Sequence, residues 1–98
     1  MSHGHEQGKV RPALVVSADS WNGHVSTLAV LPITRTSHDF PTRIELEATP
    51  QRGLDQTSYA RCEDIRAISQ RGLLGPLGRV APLVMLSVPR TLLLFLEA

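Results

Sequence analysis

The sequence predicts a mainly β domain, an antiparallel sheet bent into either a small barrel or an α+β fold, with one C-terminal helix. Three observations carry this. Runs of strand length recur, "ALVVS", "VSTLAVLPIT", "TRIELEA" and "SYARCEDIRAI", each β-branched or alternating and each bounded by turn-forming residues. Seven Gly and seven Pro in 98 residues imply many chain reversals. Only from Pro82 does the apolar pattern turn helical, with proline at a first-turn position where a missing amide is tolerated.

The elements follow in order. Residues 13–17, "ALVVS", read as a central strand. Asn22-Gly23 is the strongest hairpin signal in the chain, because both residues tolerate positive φ. "VSTLAVLPIT" returns as a second strand ending at Thr34, with Pro32 marking an edge, a bulge or a terminus. "RTSHDFP" is a polar loop. "TRIELEA" alternates, with Thr42, Ile44, Leu46 and Ala48 on one side and a wet face of Arg43, Glu45 and Glu47 on the other. "SYARCEDIRAI" is a fourth strand bulged at its charged middle, "SQRGLLG" a turn of helix, and "GRV" a last short strand. Pro89 should kink or split the terminal helix, since a regular interior proline costs about 3 kcal/mol. Trp21, beside Asn22-Gly23, is either a hairpin plug or a stacking surface for an unpaired base.

Composition bounds the function. Residues 1–98 make a single domain, and a formal charge of +1 carries no strong nucleic-acid signal. Nine of the ten cations are Arg, whose planar fork suits phosphate or carboxylate. The single Cys62 rules out an internal disulfide and a multi-cysteine metal site within one chain. No His-Glu spacing on a helix argues for a metal, and no cofactor motif is present. The polar start and the short "TLLLFL" run supply neither a secretory signal nor a membrane span. A cytoplasmic protein is the expectation.

"EQGKVRPALVVSADSWN", "LAVLPIT", "PTRIELEA" and "CEDIRAI", in that order and continuing through "RGLLGPLGRVAP", resemble the MazF/PemK toxins of bacterial toxin–antitoxin modules. The resemblance implies an SH3-like barrel of the MazF/CcdB/Kid type, with a short helix and a C-terminal helix, assembled as a homodimer. It implies metal-independent, sequence-specific cleavage of single-stranded RNA (mRNA, with rRNA a further candidate), held in check by a cognate MazE-like antitoxin. Contact with DNA is then expected only through the antitoxin complex. Arg11 and Thr34 match the family's catalytic positions, and Glu6 and Glu63 match positions of its RNA groove. Asp64 and Arg66 of "CEDIRAI" and His38 of the loop after Thr34 complete the expected substrate-binding set. Asp64 stands where the family usually has Gln, and relatives carry a further strand ahead of the "EQG" loop, after which this chain begins. Loss of that strand would leave a sheet edge unpaired.

The chemistry is specific to RNA. The 2′-OH attacks the adjacent phosphorus, giving a 2′,3′-cyclic phosphate and a 5′-OH end, a path closed to DNA. Arg11 suits the phosphoryl charge, because its fork can hold two oxygens at once. Thr34 can donate a hydroxyl hydrogen to the same group. The proton acceptor stays open among water, Glu6, Glu63, His5 and His38, since a guanidinium is almost never free base at neutral pH. Arg11 has a plain alternative in an ion pair with Glu63 or Asp19, and Glu45 and Glu47 read as solvation. Two other functions compete: a non-enzymatic gyrase-binding toxin of the CcdB type, which the "FLEA" ending disfavours, and an inactive nucleic-acid-binding relative.

Overall fold

The computed structural model describes residues 2–6, 11–48 and 56–97, with the backbone alone for 2–6 and for Ser20. Strand β1 (Ser2–Glu6) is followed by β2 (Pro12–Val15), a helical turn α1 (Asp19–Asn22) and the long β3 (Thr27–Thr34). Then come β4 (Arg43–Leu46), β5 (Ser58–Arg61), β6 (Arg66–Ser69), β7 (Leu73–Arg79) and the helix α2 (Pro82–Glu97). All pairings are antiparallel, in the order β4-β5-β3-β2-β1-β7, with β6 set on β3.

The sheet is open, which corrects the barrel expectation. Among the described residues no ladder joins β4 to β7, and β6 pairs with β3 rather than closing onto the β7 that follows it. The bend comes from β3. One of its edges pairs with β6 over Thr27–Val30 and with β5 at Ile33 and Thr34. Pro32, which has no amide to donate, falls in the gap between these partners, so its deficit breaks no ladder. Proline is buried there, at the point where one part of the sheet hands over to the next.

Alternation along β2 and β3 divides the interior into two cores. Leu14 and Leu31, both fully buried, point to one face with Leu46, Ala60, Cys62 and Val88, and this face receives α2. Ala13, Leu28 and Val30 point to the other face, against Ile68 and Leu73. Neither strand therefore has a wet side along its middle, which is why "ALVVS" reads as continuous rather than alternating.

Several local expectations are revised. Asn22-Gly23 does not make a positive-φ hairpin turn; Gly23 lies at φ −77°, ψ −11°, closing the helical turn. Asn22 is used differently: Ser17 Oγ donates to its Oδ1 at 2.6 Å, and its Nδ2 donates to the Ser17 carbonyl at 3.1 Å. Ser17 Oγ also accepts from the Ala29 amide at 3.1 Å, so this clasp ties β2 to β3. Trp21 on that turn is 53% exposed and plugs nothing. "SYARCEDIRAI" is two strands, separated by a 3₁₀ turn at Cys62–Asp64. The last strand is seven residues, Leu73–Arg79, longer than "GRV"; it accommodates Gly75 at φ 149° and shifts register against β1. The edge expected to lack a partner is filled, because β1 pairs with both β2 and β7.

Pro89 does not split α2, which is continuous from Pro82 to Glu97. Val84, Met85, Val88 and Leu92 pack on the core from both sides of the proline, and this packing outweighs the lost hydrogen bond. Thr91 Oγ1 donates to the Ser87 carbonyl at 2.9 Å, adding a bond within the same turn. Pro89 itself is exposed. Replacing it with Ala should restore the missing donor and raise stability by about 1–3 kcal/mol, read as a higher urea midpoint with unchanged slope.

Candidate active site

The β2–β3 register sets the geometry. Ala13 pairs with Pro32, Leu14 with Leu31 and Val15 with Val30; continued two residues before Ala13, this register sets Arg11 across from Thr34. On the other side of β2, His5 pairs with Pro12, so one further step aligns the backbone of Glu6 with Arg11. Thr34 pairs with Tyr59, and Tyr59 with Glu45. Thr34, Tyr59 and Glu45 thus share one rung of β3, β5 and β4, and the extended registers bring Arg11, just ahead of β2, and the backbone of Glu6 into line with it. In β3, Thr34 has the parity of Val30, on the face away from α2.

Arg11 is exposed and, among the described residues, has no ion pair or hydrogen bond. The alternative pairing with Glu63 or Asp19 is therefore not made. Thr34 is half-buried, and its Oγ1 accepts a long bond from the Thr36 amide at 3.4 Å, which leaves the hydroxyl proton free to donate.

Glu63 is bound to other partners instead, its side chain partly exposed. Its Oε1 accepts from Thr42 Oγ1 at 2.8 Å, and its Oε2 accepts from Arg43 Nε at 3.1 Å and lies 3.0 Å from Arg43 Nη2. The Arg43 side chain is only 7% exposed, which corrects its place on a wet strand face. It also donates from Nη1 to the Thr36 carbonyl at 2.5 Å and lies under the Phe40 ring at 4.8 Å. One guanidinium therefore fixes the loop after Thr34 to the turn carrying Glu63. Burial pushes the Glu63 carboxyl up, but its own backbone amide, Thr42 and Arg43 outweigh this and hold it below its ordinary range. A carboxylate so stabilised is a poor proton acceptor.

Arg61 stands 3.6 Å from Glu63 and 3.5 Å from Asp64, and its buried Nε has no hydrogen-bond partner among the described residues. Arg66 is exposed on β6 opposite Val30, four residues along β3 from Thr34, or about 13 Å. His38 lies at the tip of the β3–β4 loop with φ 51°, beside Asp39 at φ 54°, its ring 5.4 Å from Phe40. The rung thus unites Glu6, Arg11 and Thr34, while Glu63 and Asp64 form a neighbouring ionic cluster. Tyr59 and Arg43 were not singled out from sequence as site residues. The small buried Ser58 and Ala60 flanking Tyr59 are the signal that its side chain projects to the opposite face.

Two outcomes follow from this chemistry. Glu63 contributes stability above its ordinary pKa of 4.5, and that contribution is lost as pH falls through its lowered folded value. Glu63→Gln should therefore be less stable than wild type at pH 7, with the gap closing in acid; denaturant midpoints across that range measure it. Burial, then the charge of Glu63, pushes the Cys62 thiol up to about 11. Cys62 should resist iodoacetamide at pH 8 in the native state and react on unfolding, as mass spectrometry would show.

Comparison with known proteins agrees with this architecture. Residues 1–96 match the profile of the PemK-like, MazF-like toxins of type II toxin–antitoxin systems. A probable endoribonuclease MazF of Mycolicibacterium smegmatis is 32% identical over 96 residues, covering 97% of this chain and 87% of that protein. Endoribonuclease MazF9 of Mycobacterium tuberculosis is 33% identical over 102 residues, covering 98% and 86%. Among solved structures, the Mycobacterium tuberculosis toxin MazF-mt6 superposes with a TM-score of 0.90 at 21% identity, over 99% of this chain and 97% of that one. A mycobacterial endoribonuclease in complex with its cognate antitoxin superposes with a TM-score of 0.79 at 22% identity, over 98% and 89%. With residues 1–96 of its 98 matched by that profile and a 32% identical relative covering nearly its whole length, the chain belongs to the PemK-like, MazF-like toxin family.

Proposed function

We propose that the chain is a metal-independent, sequence-specific endoribonuclease, the growth-inhibiting toxin of a toxin–antitoxin pair. The single observation that supports it best is the register that aligns Arg11 with Thr34 at one end of β2 and β3. On this reading a single-stranded RNA lies across the rung, its scissile phosphate between the two side chains. The Arg11 fork takes two phosphoryl oxygens as negative charge grows on them, and the Thr34 hydroxyl donates to the same group. The substrate's 2′-OH attacks in line, the P–O5′ bond breaks, and the leaving 5′-oxygen takes up a proton. Glu63 is committed to Arg43 and Thr42, so the 2′-OH proton passes to water, Glu6, His5 or His38 rather than to Glu63. Asp64 and Arg66 extend the groove as secondary contacts. The working unit is a homodimer in the cytoplasm, silenced by a MazE-like antitoxin, and DNA is met only through that complex.

The test is incubation of the purified protein with a long single-stranded RNA in the presence of EDTA. Discrete fragments with 5′-OH ends are expected, and RNA left whole refutes the reading. Arg11→Ala and Thr34→Ala should each lower kcat by roughly 10²–10³-fold, with thermal unfolding unchanged.

A further inference from the structure

Tyr59 stands in the middle of the rung that Arg11 and Thr34 share. It pairs directly with Thr34 on one side and Glu45 on the other. Directly opposed residues of an antiparallel ladder project from the same face, with Cβ atoms about 4.5–5.5 Å apart. Of the chain's four aromatic residues, one Trp, one Tyr and two Phe, Tyr59 is the one on this rung. Trp21 lies beyond the far end of β3, whose seven residue steps from Thr27 to Thr34 span roughly 23 Å. Phe40 is committed to Arg43 and His38. Tyr59 is half-buried, so its ring is seated, yet among the described residues it has no aromatic partner and its hydroxyl no hydrogen bond.

A lone aromatic ring on a sheet face is how sheets hold unstacked nucleobases. One strand spacing, about 4.8 Å, separates Tyr59 from Thr34, so a base over Tyr59 belongs to a nucleotide next to the phosphate that Thr34 contacts. Beyond it the rung ends at the exposed Glu45, whose charge repels a phosphate, so the sugar–phosphate chain turns away and leaves the base. Resting on the ribonuclease reading above, we infer that Tyr59 is a substrate-contacting residue that stacks on the base of a nucleotide flanking the cleaved linkage. The contact holds the strand unstacked at the cut and takes no part in proton transfer.

A double-mutant cycle tests it. Wild type, Tyr59→Phe and Tyr59→Leu are assayed on an oligoribonucleotide carrying the mapped cut site. The same three are assayed on versions with an abasic nucleotide on one side of the cut or the other. Tyr59→Phe should stay within about threefold of wild type, because the ring is kept. Tyr59→Leu should lose about tenfold or more in kcat/KM while keeping its thermal transition. The abasic change at one flanking position should cost wild type as much, and cost Tyr59→Leu little more. Full activity of Tyr59→Leu, or additive losses at both flanking positions, overturns the inference. Should Leu unfold the protein, Tyr59→Val, suited to a strand, takes its place in the cycle. A wild type that leaves RNA uncut defeats the ribonuclease reading itself, a result distinct from failure at Tyr59.

Discussion

The antiparallel register of β2 against β3 is the constraint on which the rest depends. It assigns Leu14 and Leu31 to the core beneath α2 and Ala13 and Val30 to the second core. A slip of one residue would exchange those faces and bury the wrong side chains. The same register carries Arg11 to the level of Thr34. The polar clasp of Ser17 and Asn22 pins it at one end through the Ala29 amide, while β5, pairing at Ile33 and Thr34, holds the other end of β3. Folding energy and site geometry thus come from one set of contacts.

A second organising group is Arg43. A buried guanidinium needs full compensation, and this one finds a carboxylate, a backbone carbonyl and an aromatic face. Those partners belong to three separate segments: the turn after β5, the start of the β3–β4 loop, and its end. The consecutive positive-φ residues His38 and Asp39 sit between the loop's two anchors, so unfavourable backbone is held where both sides are tied. The loop that follows Thr34 is thereby given one shape, and Glu63 is spent on securing it.

Much of this was readable in the amino acids. Continuous β-branched runs revealed β2 and β3, and the order of short motifs around Arg11 and Thr34 pointed to the family. What was not readable depended on long-range pairing. Asn22-Gly23 carries a hairpin signature, yet Asn22 is captured by Ser17, and tertiary hydrogen bonding overrides local turn preference. Alternation placed Arg43 in water, because periodicity cannot see that Glu63, twenty residues later, folds over it. Pro89 reads as a breaker from sequence, since packing on either side of it is a property of the sheet below. Tyr59 stands out only once the ladder sets it between Thr34 and Glu45.

The pairing of β1 with β7 joins segments near opposite ends of the chain. Contacts of such sequence separation form late, after the intervening loops have closed. On a ribosome, the edge of the sheet beside Glu6 has no partner until residues 73–79 have emerged. Until then Arg11 and Thr34 stand in a sheet whose β1 edge is uncovered.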